Sequence, residues 1–220
     1  MALLQLYLQQ FLVFVLVLTR LGGLLMIAPL FGSRSVPIRV RAFLAIGLSL
    51  IVTPLQPSES LILPHDLVHL LLMLGREMLL GLSFGLAVTI LFTGLQLAGQ
   101  IIGQMSGMSL AEVYDPTFEE NIPVFTQLLD VATLAVFVAL GGHRQVLGAL
   151  LDTFRARPPG VDDIPSSLLP ALTDVLSESF VVGVRTAAPA LLALLLAAVI
   201  LGLISRTLPQ LNVIAVGFNV

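Results

Sequence analysis

Residues 94–123 separate two long apolar runs of the chain and read GLQLAGQIIGQMSGMSLAEVYDPTFEENIP. Gly99, Gly103 and Gly107 recur at every fourth position, a spacing that places them on one face of a helix. A face without side chains lets another backbone approach closely, as small residues do between membrane helices. Each helical glycine costs about 0.8 to 1 kcal/mol relative to alanine, so we expect this face to be buried unless the segment leaves the helix. The pattern predicts a glycine-lined contact followed, from Met105 onward, by a pliable loop.

The second half of the stretch is acidic. It has no basic residue to balance its four carboxylates, which are Glu112, Asp115, Glu119 and Glu120. The Asp115-Pro116 pair restricts the backbone and is typical of a turn. Met105 and Met108 are either flexible apolar packing or an adaptable seal. We therefore predict an acidic loop between two apolar elements.

Composition indicates the class of protein. Hydrophobic residues make up 57% of the 220 residues and charged residues 10%, which is typical of a protein embedded in a membrane. The absence of cysteine excludes disulfide scaffolds, thiolate zinc sites and cysteine nucleophiles. The first 18 residues lack the basic segment and cleavage site of a secretory signal, so we expect them to remain as the first membrane element. We predict an all-α integral membrane protein.

The apolar runs do not have the lengths of an ordinary bundle of membrane helices. They cover Leu3–Phe31, Ala42–Leu55, Leu67–Leu97, Val124–Leu140 and Leu168–Ile204. The second run rises only about 21 Å, short of a hydrocarbon core of about 30 Å, whereas the third rises about 46 Å. Pro189 is expected to kink the last run. The lengths therefore do not fit a bundle of upright helices that each cross the membrane once.

Charges within and between these runs argue against a simple threading through lipid. Suppose that the arginine-rich loop at residues 32–41 is cytoplasmic and that each later run crosses the membrane once. The acidic loop then lies inside the cell and Arg144, Arg155 and Arg157 lie outside, which inverts the positive-inside rule. Charged residues also occur inside the apolar runs, and we predict that they are paired or face protein: Arg20, Arg76, Glu77, Asp130 and Arg185. The chain has no tryptophan and two tyrosines, so aromatic anchors at the lipid surface are scarce. Much of the apolar surface is expected to contact other subunits.

Two patterns suggest chemistry. His65 and His69 lie four residues apart, as zinc ligands on a helix do, but Pro64 and Asp66 are typical of a helix start and no third ligand is close in sequence. An intramembrane metalloprotease would require bound zinc here. An ion transporter would use Arg76, Glu77 and Asp130 as a relay. No serine elbow or phosphate loop is present, and we predict no catalytic residue, no metal and no cofactor.

Several motifs resemble the FliR family of flagellar biosynthesis proteins and its injectisome homologues. In chain order they are RLGGLLMIAPLFGSRSVPIRVR, REMLLGLSFG, AGQIIGQMSGMSLAEVYDP, the GGH at Gly141 to His143, and RTLPQLNVIAVGF. The resemblance covers essentially the whole chain, which is interpreted as a single domain, residues 1–220. Its Pro-Gln-Leu-Asn ending favours the flagellar branch, and an injectisome subunit remains the alternative.

The resemblance implies kinked hydrophobic helical hairpins that assemble into a multi-subunit helical export-gate complex. It also implies that the chain is a subunit of this type III export gate in the bacterial inner membrane, at the centre of the flagellar basal body. Implied partners are FliP, FliQ, FlhB and the exported proteins, and no nucleic acid is implied. The family's plug maps onto residues 107–121, and the plug or gate loop comprises Met105, Gly107, Met108, Glu112, Tyr114, Asp115 and Pro116. We assign Gly81, Gly85, Gly99 and Gly103 to helix packing. The family continues past the turn at Gly217 with another apolar helix, so this sequence is expected either to lack that element or to stop before it.

Overall fold

The computed structural model describes residues 2–32, 36–56, 63–107, 124–161 and 163–207. Every regular element in these ranges is a helix. The α-helices are α1 (Ala2–Ile27), α2 (Pro29–Gly32), α3 (Ile38–Val52), α4 (Leu67–Met105), α5 (Val124–Ala139), α6 (Gly142–Ala156) and α7 (Leu168–Thr207). A 3₁₀ turn, Thr53–Leu55, follows α3.

Helices α1 and α3 pack against each other as a hairpin. Helix α1 ends before Ala28 and Pro29, because a proline inside a helix removes a hydrogen-bond donor. Helix α3 begins at Ile38, directly after Pro37, four residues before the predicted start. Together with the 3₁₀ turn it forms an 18-residue apolar element, Ile38–Leu55. The second run is therefore longer than the sequence predicted, and it rises about 27 Å.

Helices α4 and α7 are much longer than a hydrocarbon core requires. They contain 39 and 40 residues, which corresponds to about 58 and 60 Å. Helix α4 continues past the end of the apolar run at Leu97 to Met105, so Gly99 and Gly103 are helical, as their spacing predicted. Helix α7 is continuous through Pro189, and the kink predicted there stays a prediction.

The chain bends sharply at the two glycines that follow the fourth apolar run. Helices α5 and α6 meet at an angle of 63°. Gly141 has a φ of 70°, in the left-handed region that favours glycine, and it precedes the first residue of α6. Gly142 lies against the ring of Phe137, where an added Cβ would collide with the ring carbons. The bend thus depends on two adjacent glycines.

The described helices are suited to a membrane. Four of them are long and apolar enough to cross one, and the bent pair α5–α6 makes a fifth if it counts as one span. The protein is therefore an all-α membrane protein with a kinked hairpin, as the sequence predicted.

The chain divides into two compact units. Unit 1 comprises Met1–Thr93 and Thr133–Ser179, and unit 2 comprises Gly94–Ala132 and Phe180–Val220. The core of unit 1 consists of Val13, Leu16, Val17, Leu21, Leu24, Ala28, Val52, Met73, Leu150 and Phe154. The single domain inferred from the sequence stays a prediction.

Candidate functional site

A buried ion pair joins α1 to α4 within unit 1. Nε of Arg20 donates to Oε2 of Glu77 at 2.6 Å, and the two side chains are 1% and 4% exposed. Arg20 lies in the apolar stripe of α1 between Leu16 and Leu24, one helical turn to either side, so its charged group enters the core of the unit. Charges removed from water in this way are tolerated only when they are paired and hydrogen-bonded.

The remaining polar groups of the pair bind the end of α6 and the turn after it. Nη1 of Arg20 donates to Oγ1 of Thr153 at 3.2 Å and to the carbonyl oxygen of Arg157 at 3.2 Å. The backbone N–H of Gly160 donates to Oε1 of Glu77 at 3.0 Å. Both carboxylate oxygens of Glu77 therefore accept a hydrogen bond. The pair connects three segments that are distant in sequence: α1, α4, and the end of α6 with the turn after it.

An aromatic ring completes the surroundings of Arg20. Its guanidinium carbon lies 4.3 Å from the ring centroid of Phe154, which is 1% exposed. A cation over an aromatic face is attracted by the ring quadrupole, and the attraction is stronger when water is excluded. Arginine suits this place better than lysine because its planar group stacks on a ring while it donates to several acceptors.

Glycines allow α1 and α4 to approach closely beside this pair. A Cβ on Gly23 would lie 2.9 Å from the backbone nitrogen of Leu82, and one on Gly85 would lie 3.0 Å from the Cβ of Ile27. A Cβ on Gly81 would collide with the carbonyl oxygen of Arg20. The structure thus places Gly81 and Gly85 in a helix contact and adds Gly23, which the sequence analysis did not select.

Unit 2 contains two further contacts of the same kind. A Cβ on Gly99 would lie 2.6 Å from the Cα of Thr126 on α5. A Cβ on Gly183 of α7 would collide with the carbonyl oxygen of Gly94 on α4. Gly103 is buried as well. The three positions Gly94, Gly99 and Gly103 show why α4 stays helical through its glycines: close packing compensates for their low helix propensity.

Helix α4 ends where the predicted plug begins. Met105 is the last helical residue and is 65% exposed, and Gly107 has a φ of 76° that favours glycine. The positive φ at Gly107 is consistent with the predicted end of the helix near Met105. The other predicted plug residues lie outside the described residues: Met108, Glu112, Tyr114, Asp115 and Pro116.

The other predicted polar residues have different surroundings. Arg76 is half-buried and has an interaction partner, Asp130 is half-buried, and Arg185 is exposed on α7. The pairing predicted for Asp130 and Arg185 stays a prediction. In the described ranges, no group of three histidine, cysteine or acidic side chains is arranged to hold a metal ion, His65 and His69 included.

Sequence reasoning missed the partners of Arg20 and Glu77. Thr153 and Phe154 lie on an amphipathic helix without an unusual motif, and the groups used at Arg157 and Gly160 belong to the backbone. Backbone groups leave no side-chain signal. The one available signal was the Pro158-Pro159-Gly160 turn, which marks a fixed backbone conformation directly after α6.

Large apolar side chains remain exposed on α7. Only 6% of its most apolar stretch is buried, and the exposed residues in its second half include Leu192, Leu195, Leu196, Val199, Ile200 and Leu203. An apolar surface of this extent requires a covering of lipid or of other protein.

Comparison with known proteins identifies the family. Residues 11–220 match the family model described as bacterial export proteins, family 1. The flagellar biosynthetic protein FliR of Escherichia coli (strain K12) is 32% identical over 201 residues, which cover 91% of this chain and 76% of the relative. The FliR proteins of Pectobacterium carotovorum subsp. carotovorum and Bacillus subtilis (strain 168) are 30% and 29% identical, over 91% and 93% of this chain and 76% and 79% of the relatives. The resemblance seen in the motifs is thereby confirmed, and the chain belongs to family 1 of the bacterial export proteins, the family of its FliR relatives.

Proposed function

We propose that this chain is a subunit of the flagellar protein export gate in the bacterial inner membrane, at the centre of the basal body. The observation that carries the proposal is the family match over residues 11–220, together with relatives named as flagellar biosynthetic proteins that align with about nine-tenths of the chain. The membrane-spanning character of four described helices supports the location.

In this proposal the chain works only as part of an assembly with FliP, FliQ and FlhB. Two observations support an assembly: only 6% of the most apolar stretch of α7 is buried, and both α4 and α7 are about twice as long as a hydrocarbon core. Helices of that length cannot place all of their apolar surface in lipid if they stand upright. Neighbouring subunits with apolar surfaces are the complementary covering.

The proposed contribution of the chain is to form part of the protein-conducting pore and to close it with residues 107–121. Support comes from the residues that lead into this segment: Met105, at the end of α4, is exposed, and Gly107 has a positive φ. Methionine seals irregular gaps because its side chain is flexible and polarizable. In this proposal, the acidic residues of the segment repel one another when the segment fills the pore, which keeps the closed state easy to open.

The proposal assigns the chain no chemical reaction. Conduction and closure need shape and displacement, whereas the energy comes from other subunits. The relay required by the ion-transporter alternative finds no support at Glu77, because both of its carboxylate oxygens accept hydrogen bonds within unit 1.

Co-purification tests this function. The chain is tagged, expressed at its native level in a flagellated bacterium, solubilised in mild detergent and recovered, and its partners are identified by mass spectrometry. The proposal expects FliP, FliQ and FlhB in the eluate, and the injectisome homologues in their place would favour the other branch. A monodisperse, thermally stable monomer without any of these partners would contradict the assembly.

A further inference from the structure

The buried pair has more hydrogen bonds than its own neutralisation requires. The contact between Nε of Arg20 and Oε2 of Glu77 already joins the two charges. Besides the bond from Nη1 of Arg20 to Thr153 on α6, each member of the pair binds the backbone of one short segment, residues 157–160, which we call the connector. The guanidinium binds the carbonyl at its first residue, Arg157, and the carboxylate binds the N–H at its last residue, Gly160.

The direction of these two bonds makes the charges non-interchangeable. A carbonyl oxygen needs a donor, which an arginine supplies and a carboxylate does not. A backbone N–H needs an acceptor, which a carboxylate supplies and an arginine does not. The connector can therefore form both hydrogen bonds only when position 20 carries the cation and position 77 carries the anion.

The backbone of the connector is shaped for this attachment. Gly160 has a φ of 89°, in the region where residues with a Cβ are strained, and Pro159 beside it is buried. The side chain of Arg157 continues outward, where Nη1 donates to the carbonyl oxygen of Asp163 at 2.5 Å and Nη2 lies 3.5 Å from Oδ2 of the same residue. Contacts thus run from the buried pair to the surface segment that leads into α7.

We infer that Arg20 and Glu77 are positioning residues that clamp the connector between α6 and α7, and that protein export requires the clamped connector. The second part rests on the proposed function, whereas the first part does not.

Exchanging the two charges separates clamping from simple charge pairing. The double variant Arg20→Glu with Glu77→Arg keeps one cation beside one anion, but both bonds to the connector meet a group of the wrong kind. If the pair serves only to neutralise itself, the exchange restores the wild-type behaviour. A second variant, Arg20→Lys, keeps the charge but removes the planar fork that reaches Glu77 and the Arg157 carbonyl together. Arg20→Lys replaces the double variant in the test if the exchanged protein is not recovered.

Position 159 reports whether the connector is released. The chain contains no cysteine, so Pro159→Cys introduces a single buried thiol whose reaction with a maleimide is followed by mass spectrometry on the complex purified with its partners. Ser49→Cys is the matched control, because Ser49 is fully buried and its hydroxyl donates within α3, to the carbonyl oxygen of Ala45. In the exchanged and Arg20→Lys proteins, we expect labelling at 159 to accelerate by about tenfold or more, since charge-assisted hydrogen bonds to the connector are lost. Labelling at 49 is expected to stay unchanged.

The labelling rates test the clamp, and the export assay tests whether export requires it. Unchanged labelling at 159 in the recovered variants, or an equal acceleration at 49, would overturn the clamp. Export of a reporter substrate by the same variants, at normal recovery of the complex, is expected to fall by about tenfold or more, and normal export with a released connector would overturn the second part of the inference. If the unmodified chain supports no export, the proposed function fails, and the labelling still decides whether the clamp exists.

Discussion

The contact between α1 and α4 makes a quantitative prediction for two glycines of one helix. Gly75 and Gly81 both lie in α4 and in unit 1, and the same substitution to alanine applies to both. A Cβ at Gly75 would meet nothing within 4 Å. A Cβ at Gly81 would collide with the carbonyl oxygen of Arg20 and lie 2.9 Å from the carbonyl carbon of that residue. Gly75→Ala is therefore a control with the same change of helix propensity and no steric conflict.

The expected difference in stability between the two variants is obtained by treating helix propensity and packing as separate contributions to the free energy of unfolding. Each substitution gains about 1 kcal/mol because alanine favours the helix more than glycine does. At Gly81 the carbonyl carbon must move from 2.9 Å to at least the 3.4 Å where ordinary contact begins, and overpacking of this kind costs about 1 to 3 kcal/mol. The propensity gain is common to both variants, so the difference between them equals the packing cost.

Thermal unfolding of the complex purified with its partners measures this difference. At about 2 to 4 °C per kcal/mol for a chain of this size, Gly75→Ala is expected to raise the Tm by about 2 to 4 °C, and Gly81→Ala to unfold about 2 to 12 °C below Gly75→Ala. Indistinguishable melting temperatures for the two variants would refute the close approach of α1 and α4.

Two further predictions concern unit 2 and the segment after α4. Gly99→Leu is expected to abolish recovery of the partner complex because a Cβ there already meets the backbone of Thr126, whereas Gln100→Leu, at an exposed position of the same helix, preserves it; equal recovery of both variants in a pull-down would show that this face is not a contact. Deletion of residues 106–110 is expected to leave the complex intact but to make the membrane permeable to ions and small dyes, and a recovered complex that stays tight in a leakage assay would remove the segment as the plug.

The apolar runs predicted most of the helices because length and hydropathy are local properties. Helix α4 differs in one respect: it passes the end of its apolar run at Leu97 and continues to Met105, where the glycine spacing predicted the loop to begin. Glycine propensity alone favours an earlier end, but the contact of Gly99 with Thr126 compensates for it. The compensation comes from a different helix, so it is not visible in the local sequence.

The buried pair was predictable only in part. The cost of a charge in an apolar helix shows that Arg20 and Glu77 need partners. It does not show which partners, because the two residues are separated by 57 positions and other charged residues, Arg76, Asp130 and Arg185, also lie inside apolar runs. The binding of the Arg157 carbonyl and the Gly160 N–H depends on how three helices and a turn meet, and backbone groups carry no sequence signature.

Export itself tests the central claim most directly. A strain without its own copy of this gene is complemented with the full chain, and the amount of a reporter-tagged export substrate in the culture medium is measured, with membrane insertion and partner recovery followed in parallel. We predict that the chain restores export and that the Gly99→Leu variant does not. A chain that inserts and binds the partners yet leaves the substrate inside the cell would contradict it.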